Sequence, residues 1–221
     1  MPTYEINIQS PITAMDSTAI TAKLVRDLIS QKVFSDRFYM TGFECICINA
    51  NHAKLSESVI SSVVPLDGEL LIIGNDESCA LWRSLCHKLD ILVSSVDGDE
   101  EYIRSALEAI LNTNNRISHI ICGSQYSNGL LQYIGTMAHR FRCTFIVDNC
   151  NNVVTMSDIK SCNIDFLVTA DEASDNPTSM VIARRSKLVQ AEGNARSNTT
   201  DIYAQWQQMV EVRQSTLEPM A

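Results

Sequence analysis

The side chains with chemistry to offer are eight cysteines and several polar clusters that close apolar runs. A zinc site needs thiolates in Cys-x-x-Cys pairs, so that two sulfurs reach one ion, and no such pair occurs. Cys45 and Cys47 are two apart and share one face of a strand, while Cys86-His87 stands alone. Cys45, Cys47, Cys122, Cys143 and Cys162 sit in or beside apolar runs, and Cys79 and Cys86 fall seven apart on a helical pattern. Reduced, mostly buried thiols are the expected state, and no metal is expected. Gly123, Gly129 and Gly135 are evenly spaced but form neither a Walker loop nor a dinucleotide fingerprint. There is no Gly-x-Ser-x-Gly elbow and no zincin motif. What remains are the polar clusters Asn49 to His52, Gly74 to Asp76, Gly123 to Asn128, Asp148 to Asn151 and Thr169 to Glu172.

Each cluster follows a short β-rich run. Phe43 to Ile48, Glu69 to Gly74, Asp90 to Ser94, Ile117 to Cys122, Thr144 to Asp148, Ile164 to Thr169 and Ser179 to Arg184 read as strands. Helical patterns lie between them at Ala53 to Val63, Glu77 to Lys88, Asp99 to Leu111 and Leu130 to Arg140, with one more at Asp201 to Arg213. The near-continuous apolar character of the strands predicts burial on both faces. A βα repeat of this kind predicts an α/β fold of three layers, a mainly parallel sheet covered by helices. Too few residues separate the last two strands for a helical crossover, so Ser179 to Arg184 is expected to run antiparallel. Ligands bind beyond the carboxyl ends of such strands, which is where the polar clusters fall.

Composition narrows the class. The 221 residues are 45% hydrophobic and 19% charged, the mark of an ordinary globular chain. They carry 17 Lys and Arg against 26 Asp and Glu, a net charge of -9, which argues against a phosphate-backbone partner such as nucleic acid. No apolar run approaches the length of a membrane span. The N-terminus MPTYEINIQS lacks a basic-then-apolar leader, so a cytoplasmic location is expected. With no linker or repeat, residues 1–221 are expected to form a single domain.

Several segments, taken together and in order, carry a resemblance. They are AILNTNNRISHI (Ala109 to Ile120), GTMAHRFRCTFIVDN (Gly135 to Asn149), SDIKSCNIDFLVTA (Ser157 to Ala170), MVIARRSKL (Met180 to Leu188) and DIYAQW (Asp201 to Trp206). GELLIIGN (Gly68 to Asn75) is a weaker match, and Ser10-Pro11 a fainter one. The chain resembles the class V aminotransferases, fold-type I pyridoxal-phosphate enzymes, and within them the aminophosphonate-acting members. The resemblance implies the large domain of that fold, with the C-terminal small domain absent.

That family's chemistry uses a Schiff-base lysine, a carboxylate on the pyridine nitrogen, a small-residue turn for the phosphate, a flat side chain on the ring and a substrate-binding arginine. By resemblance, Asp148 matches the pyridine-binding aspartate. The stretch matching the lysine turn is Thr169-Ala170-Asp171-Glu172-Ala173-Ser174-Asp175-Asn176-Pro177, which holds no lysine and three acids. Lys160 and Lys187 lie about a strand length away. The phosphate turn reads Asn49-Ala50-Asn51-His52-Ala53, with His52 where the family has glycine. Asn51 and a protonated His52 can meet an anion, but a helix-capping asparagine and a surface histidine are preferred. Tyr126, in Ser124-Gln125-Tyr126-Ser127-Asn128-Gly129, either stacks on a ring or fills a vacated pocket. Arg184, Arg185, Arg196 and Arg213 read as surface charges.

The expected protein is therefore a degenerate aminotransferase-like chain with no catalytic residue. Asp148, Asn51, His52 and Tyr126 are vestigial cofactor positions, and covalent pyridoxal phosphate is not expected. Its role is binding or assembly, as a homodimer or with an aminotransferase-like subunit. Met1 to Ile12 is the candidate for crossing to the partner. Two alternatives stay open: a pyridoxal-phosphate aminotransferase for aminophosphonates with a noncovalent or partner-completed site, and a small-anion or phosphonate-binding module.

Overall fold

The computed structural model of the chain describes residues 42–149, 154, 156–171, 178–196 and 201–217. Seven strands alternate with helices: β1 (Phe43–Ile48), α1 (His52–Val63), β2 (Glu69–Ile73), α2 (Glu77–Lys88), β3 (Leu92–Val96), α3 (Glu100–Thr113), β4 (Ile117–Gly123), α4 (Asn128–Arg140), β5 (Thr144–Asp148), α5 (Met156–Ser161), β6 (Phe166–Asp171), β7 (Thr178–Arg184), α6 (Arg185–Gln190) and α7 (Ile202–Leu217). They form one sheet in the order β1-β7-β6-β5-β4-β2-β3. β2 pairs in parallel with β3 and β4, β4 with β5, and β5 with β6. β7 runs antiparallel to both its neighbours, β1 and β6, as its short connection to β6 predicts.

Strand alternation sorts the core into two layers. Leu71, Ile73, Ile120, Phe145, Val147 and Leu167 pack with α3 and α4 on one face. Leu70, Ile72, Ile121, Ile146, Phe166 and Val168 pack with α1 and α2 on the other. The helices are started by side-chain caps on otherwise orphan amides. Asn51, Asp76, Asp99 and Ser127 accept from Lys54 N, Cys79 N, Tyr102 N and Leu130 N at 3.0, 2.8, 2.8 and 3.2 Å.

Three features depart from expectation. Asp90 is a left-handed turn residue (φ 53°) just past α2, so the third strand starts at Leu92 instead. That strand is the last in the sheet order, and its Leu92 and Val93 are 45% and 42% exposed, against the expected burial on both faces. The strand expected from Ile164 begins at Phe166, and Asp165 just before it accepts through its carboxylate from Phe145 N (3.1 Å) and Arg184 Nε (2.7 Å). Two short helices, α5 and α6, add to the expected set. Each has six residues, too few for a helical period to show in sequence.

Candidate functional site

The carboxyl ends of β1, β2, β4, β5 and β6 converge on Asp148. Asp148 shares its parity with Ile146, so alternation points it toward the layer of α1 and α2. It is 2% exposed. Two rings meet its carboxylate on one oxygen. Trp82 Nε1–H, from α2, donates to Asp148 Oδ2 at 2.8 Å. His52 Nε2, on the first turn of α1, lies 3.0 Å from the same atom. With the carboxylate ionised, that second bond needs the proton on His52 Nε2. A carboxylate this deep is costly unless donors surround it, and these supply part of that need.

His52 therefore departs from the surface position preferred on sequence. Its side chain is only 13% exposed and turned inward to Asp148. The turn that carries it is fixed from both sides. Asn51 caps α1 through Lys54 N, and Ser179 Oγ on β7 donates to Ala50 O at 2.6 Å. Asn51 is thus the helix cap expected of it. Tyr126 stands over the end of β2, its hydroxyl 2.7 Å from where a Cβ on Gly74 would be, and Gly74 has a left-handed φ of 113°. Burial, followed by the neighbouring Cys122, pushes the Tyr126 phenol up to about 12.

Other polar groups at this end of the sheet are engaged within the chain. Gln125 Nε2 donates to Asp76 Oδ2, and Arg83 Nη2 to Gly74 O at 2.7 Å. Glu100 accepts from Ser127 N at 2.9 Å and from Ser127 Oγ at 2.7 Å. The hydrogen bond from the Ser127 backbone N–H, and after it that from its hydroxyl, holds the Glu100 carboxyl below its ordinary range. Asn149, 3% exposed, clamps Val154 through both its amide atoms. Ser124 differs from these. It is 2% exposed, its N donates to Asp148 O at 2.9 Å, and its Oγ meets no hydrogen-bond partner among the described residues.

Four of the described thiols, Cys79, Cys86, Cys122 and Cys143, are poor nucleophiles. Burial pushes Cys79 and Cys86 up to about 12 and Cys143 up to about 11, and raises Cys122 as well. No cluster of three metal-ligating side chains occurs among the described residues.

Pyridoxal phosphate is the group the resemblance implies, and the residues around Asp148 do not fit it. Asp148 Oδ2, one of the two oxygens a ring nitrogen could use, already has two ring nitrogens of the chain itself at hydrogen-bond distance. The first turn of α1, where a phosphate would sit, is capped by Asn51, and a histidine ring stands beside it. Residues 172–177, with Glu172 and Asp175, and the N-terminal stretch Met1 to Ile12 lie outside the described residues. Asp171 ends β6.

Sequence reasoning finds Asp148, Asn51 and His52 but misses Trp82. The available signal is a tryptophan placed on the inner face of the helix that follows β2. Its partner lies 66 positions away, and local pattern does not carry that distance.

The chain is 30% identical over 178 residues to 2-aminoethylphosphonate–pyruvate transaminase of Salmonella dublin, covering 76% of this chain and 48% of that protein. The protein of the same name from Salmonella typhimurium is 29% identical over the same span. The chain thus spans about half the length of the curated relatives it matches. No family model matches it. Among solved structures it is similar to ureidoglycine–glyoxylate aminotransferase of Bacillus subtilis, with TM-score 0.60, 13% identity, and 80% of this chain and 49% of that one covered. Pyridoxamine–pyruvate aminotransferase of Mesorhizobium loti gives TM-score 0.57 at 13% identity over 72% and 44%. A chain of the SepCysS–SepCysE N-terminal domain complex gives 0.53 at 10% over 67% and 44%. These structures share its fold.

Proposed function

Because this chain is a class V aminotransferase-like protein, and because its Asp148 is occupied by its own side chains, we propose that it is a non-catalytic binding or assembly protein built on the large-domain fold of those enzymes. The observation that carries this reading is the pair of ring nitrogens, Trp82 Nε1–H and His52 Nε2, at hydrogen-bond distance from Asp148 Oδ2. A carboxylate so engaged is not presented to a cofactor ring.

The sequence supports the same reading. Thr169 to Pro177 contains no lysine to form an aldimine. Lys160 precedes β6, and Lys187 follows β7, whose seven residues carry the chain roughly 20 Å from the Asp148 end of the sheet. Three acids in that stretch, Asp171, Glu172 and Asp175, oppose a phosphorylated ligand. The partner of such a protein is a second copy or a full-length aminotransferase-like subunit. That one chain of this fold is solved in complex with another protein's N-terminal domain lends support to an assembly role.

A second reading, a small-anion or phosphonate-binding module, has one observation in its favour: the buried Ser124 Oγ without a partner among the described residues. The two readings differ in what phosphonates do to the protein. Methylphosphonate and 2-aminoethylphosphonate raise the melting temperature of a binding module and leave that of an assembly protein unchanged.

The decisive test of the non-catalytic reading is spectroscopic. Purified protein incubated with pyridoxal phosphate shows no aldimine absorption band, incorporates no label on borohydride reduction, and does not transaminate 2-aminoethylphosphonate with pyruvate. A yellow protein reduced onto Lys160, Lys187 or any other lysine of the chain defeats the proposal.

A further inference from the structure

Trp82 is almost fully enclosed, at 1% exposure, yet it is placed by a short and well-tied route. β2 ends at Ile73, Gly74 turns the chain, and Asp76 caps α2 through Cys79 N. Arg83, the next residue after Trp82, is anchored back onto Gly74 O. This double hold on the first turns of α2 fixes the direction of the indole. Its Nε1–H reaches Asp148 Oδ2 at 2.8 Å, while His52 arrives on the same oxygen from a different helix. Two flat heteroaromatic rings, each offering one ring N–H, therefore converge on one oxygen of a buried carboxylate. That is the interaction a free planar nitrogen heterocycle would make there, and both rings come from this chain.

We infer that Trp82 is a tethered ligand: together with His52 it holds, on Asp148 Oδ2, the place of a pyridine-type ring N–H, so that the native chain excludes such rings from Asp148 and a chain stripped of the two side chains admits them. The inference rests on the non-catalytic reading and deepens it, naming the ligand class excluded and the two residues that exclude it. The physical reason is occupancy. An incoming ring meets an oxygen that already has two donors at hydrogen-bond distance, and entering means breaking both bonds and displacing an indole that has no exposed surface to retreat to.

The probe is 4-deoxypyridoxine 5′-phosphate, a pyridine ring without the aldehyde, whose binding is independent of any lysine. Calorimetric titration of the native chain is expected to show no saturable binding up to about 1 mM. The double variant Trp82→Ala with His52→Gly is expected to bind it at least about tenfold more tightly than that limit, and adding Asp148→Asn removes the gain. The single variant Trp82→Phe keeps a ring and removes the donor. Its unfolding equilibrium constant is expected to rise about tenfold, and most of that rise disappears in the Asp148→Asn background.

Three results overturn the inference. One is a native chain that binds the probe and loses it on Asp148→Asn. Another is a folded double variant that binds no better than the native chain. The third is a Trp82→Phe cost that is the same in the native and the Asp148→Asn backgrounds, which decides the matter even if the double variant does not fold. Failure of the wider reading looks different: an aldimine or transamination in the native chain defeats the non-catalytic proposal, whereas lysine-independent binding of the deoxy compound through Asp148, with neither of those, defeats this inference, removes Asp148 occupancy as a support and leaves the lysine-free stretch Thr169 to Pro177 to carry that proposal.

Discussion

His119 is a buried histidine with a measurable consequence for stability. It lies in β4, 6% exposed, with Nδ1 2.9 Å from Ser118 Oγ. Burial, followed by the positive charges of Lys187 and Arg196, pushes its imidazole down to about 3. In the unfolded chain the same group titrates near 6.5. The folded value is the lower of the two, so above about 6.5 the group is neutral in both states and costs nothing. As pH falls from about 6.5 toward 3, the unfolded chain takes up a proton that the folded chain refuses, and stability declines by about 1.4 kcal/mol per pH unit. Replacing His119 with Leu removes this linkage. Urea unfolding at pH 7, 5.5 and 4.5 should show a shallower acid decline in His119→Leu, by about 2–3 kcal/mol over two units. Parallel curves for variant and parent reject the assignment. The same contrast between local and distant causes explains what the sequence reveals of the candidate site. Asp148 is legible because it closes a recognisable strand, and Asn51 because capping is local. The inward turn of His52 and the bond from Trp82 are not, since each depends on a partner 96 or 66 positions away.

At the scale of elements, α4 is held against the loop after α5 by the absence of a side chain. A Cβ built on Gly135 would lie 1.8 Å from the carbonyl oxygen of Cys162 and 3.3 Å from Asn163 Cβ. Backbone is the obstacle, and Asn163 is itself in a left-handed turn (φ 52°), so neither side yields cheaply. Gly135→Ala forces α4 away from the sheet. The expected loss is about 1–3 kcal/mol, in spite of the better helix propensity of alanine. Chemical denaturation of the variant measures it, and an unchanged or raised midpoint contradicts the packing described. Elements of this kind are well signalled in the sequence. β1, β5 and α2 occupy the residues expected of them, because apolar runs bounded by polar caps mark both ends. Pattern alone starts β3 two residues early, because a charged turn residue, Asp90, looks like the start of a strand until its φ is known. The exposure of β3 is not legible either: apolar content says nothing about position in the sheet order, and β3 is at the edge.

For the whole molecule, the sheet joins the two core layers so closely that neither can melt alone. Neighbouring residues of β2 feed opposite layers, Leu71 and Ile73 one and Leu70 and Ile72 the other, and β4, β5 and β6 do the same. Losing either layer of helices exposes half of every strand, so one cooperative unfolding transition is expected. That cooperativity gives the proposed homodimer a test needing no knowledge of its interface. If the native state is a dimer and the unfolded state is not, mass action stabilises the native form as protein concentration rises. A hundredfold increase, from micromolar upward, contributes about 2.7 kcal/mol. That is shared by the two chains of a dimer, so for chains of this length it corresponds to a rise in melting temperature of roughly 3–5 °C. Scanning calorimetry across that range, with light scattering on the same samples, should show the rise and a dimer mass together. A melting temperature independent of concentration, with a monomer mass throughout, rules out self-assembly and leaves the aminotransferase-like subunit as the partner to be sought.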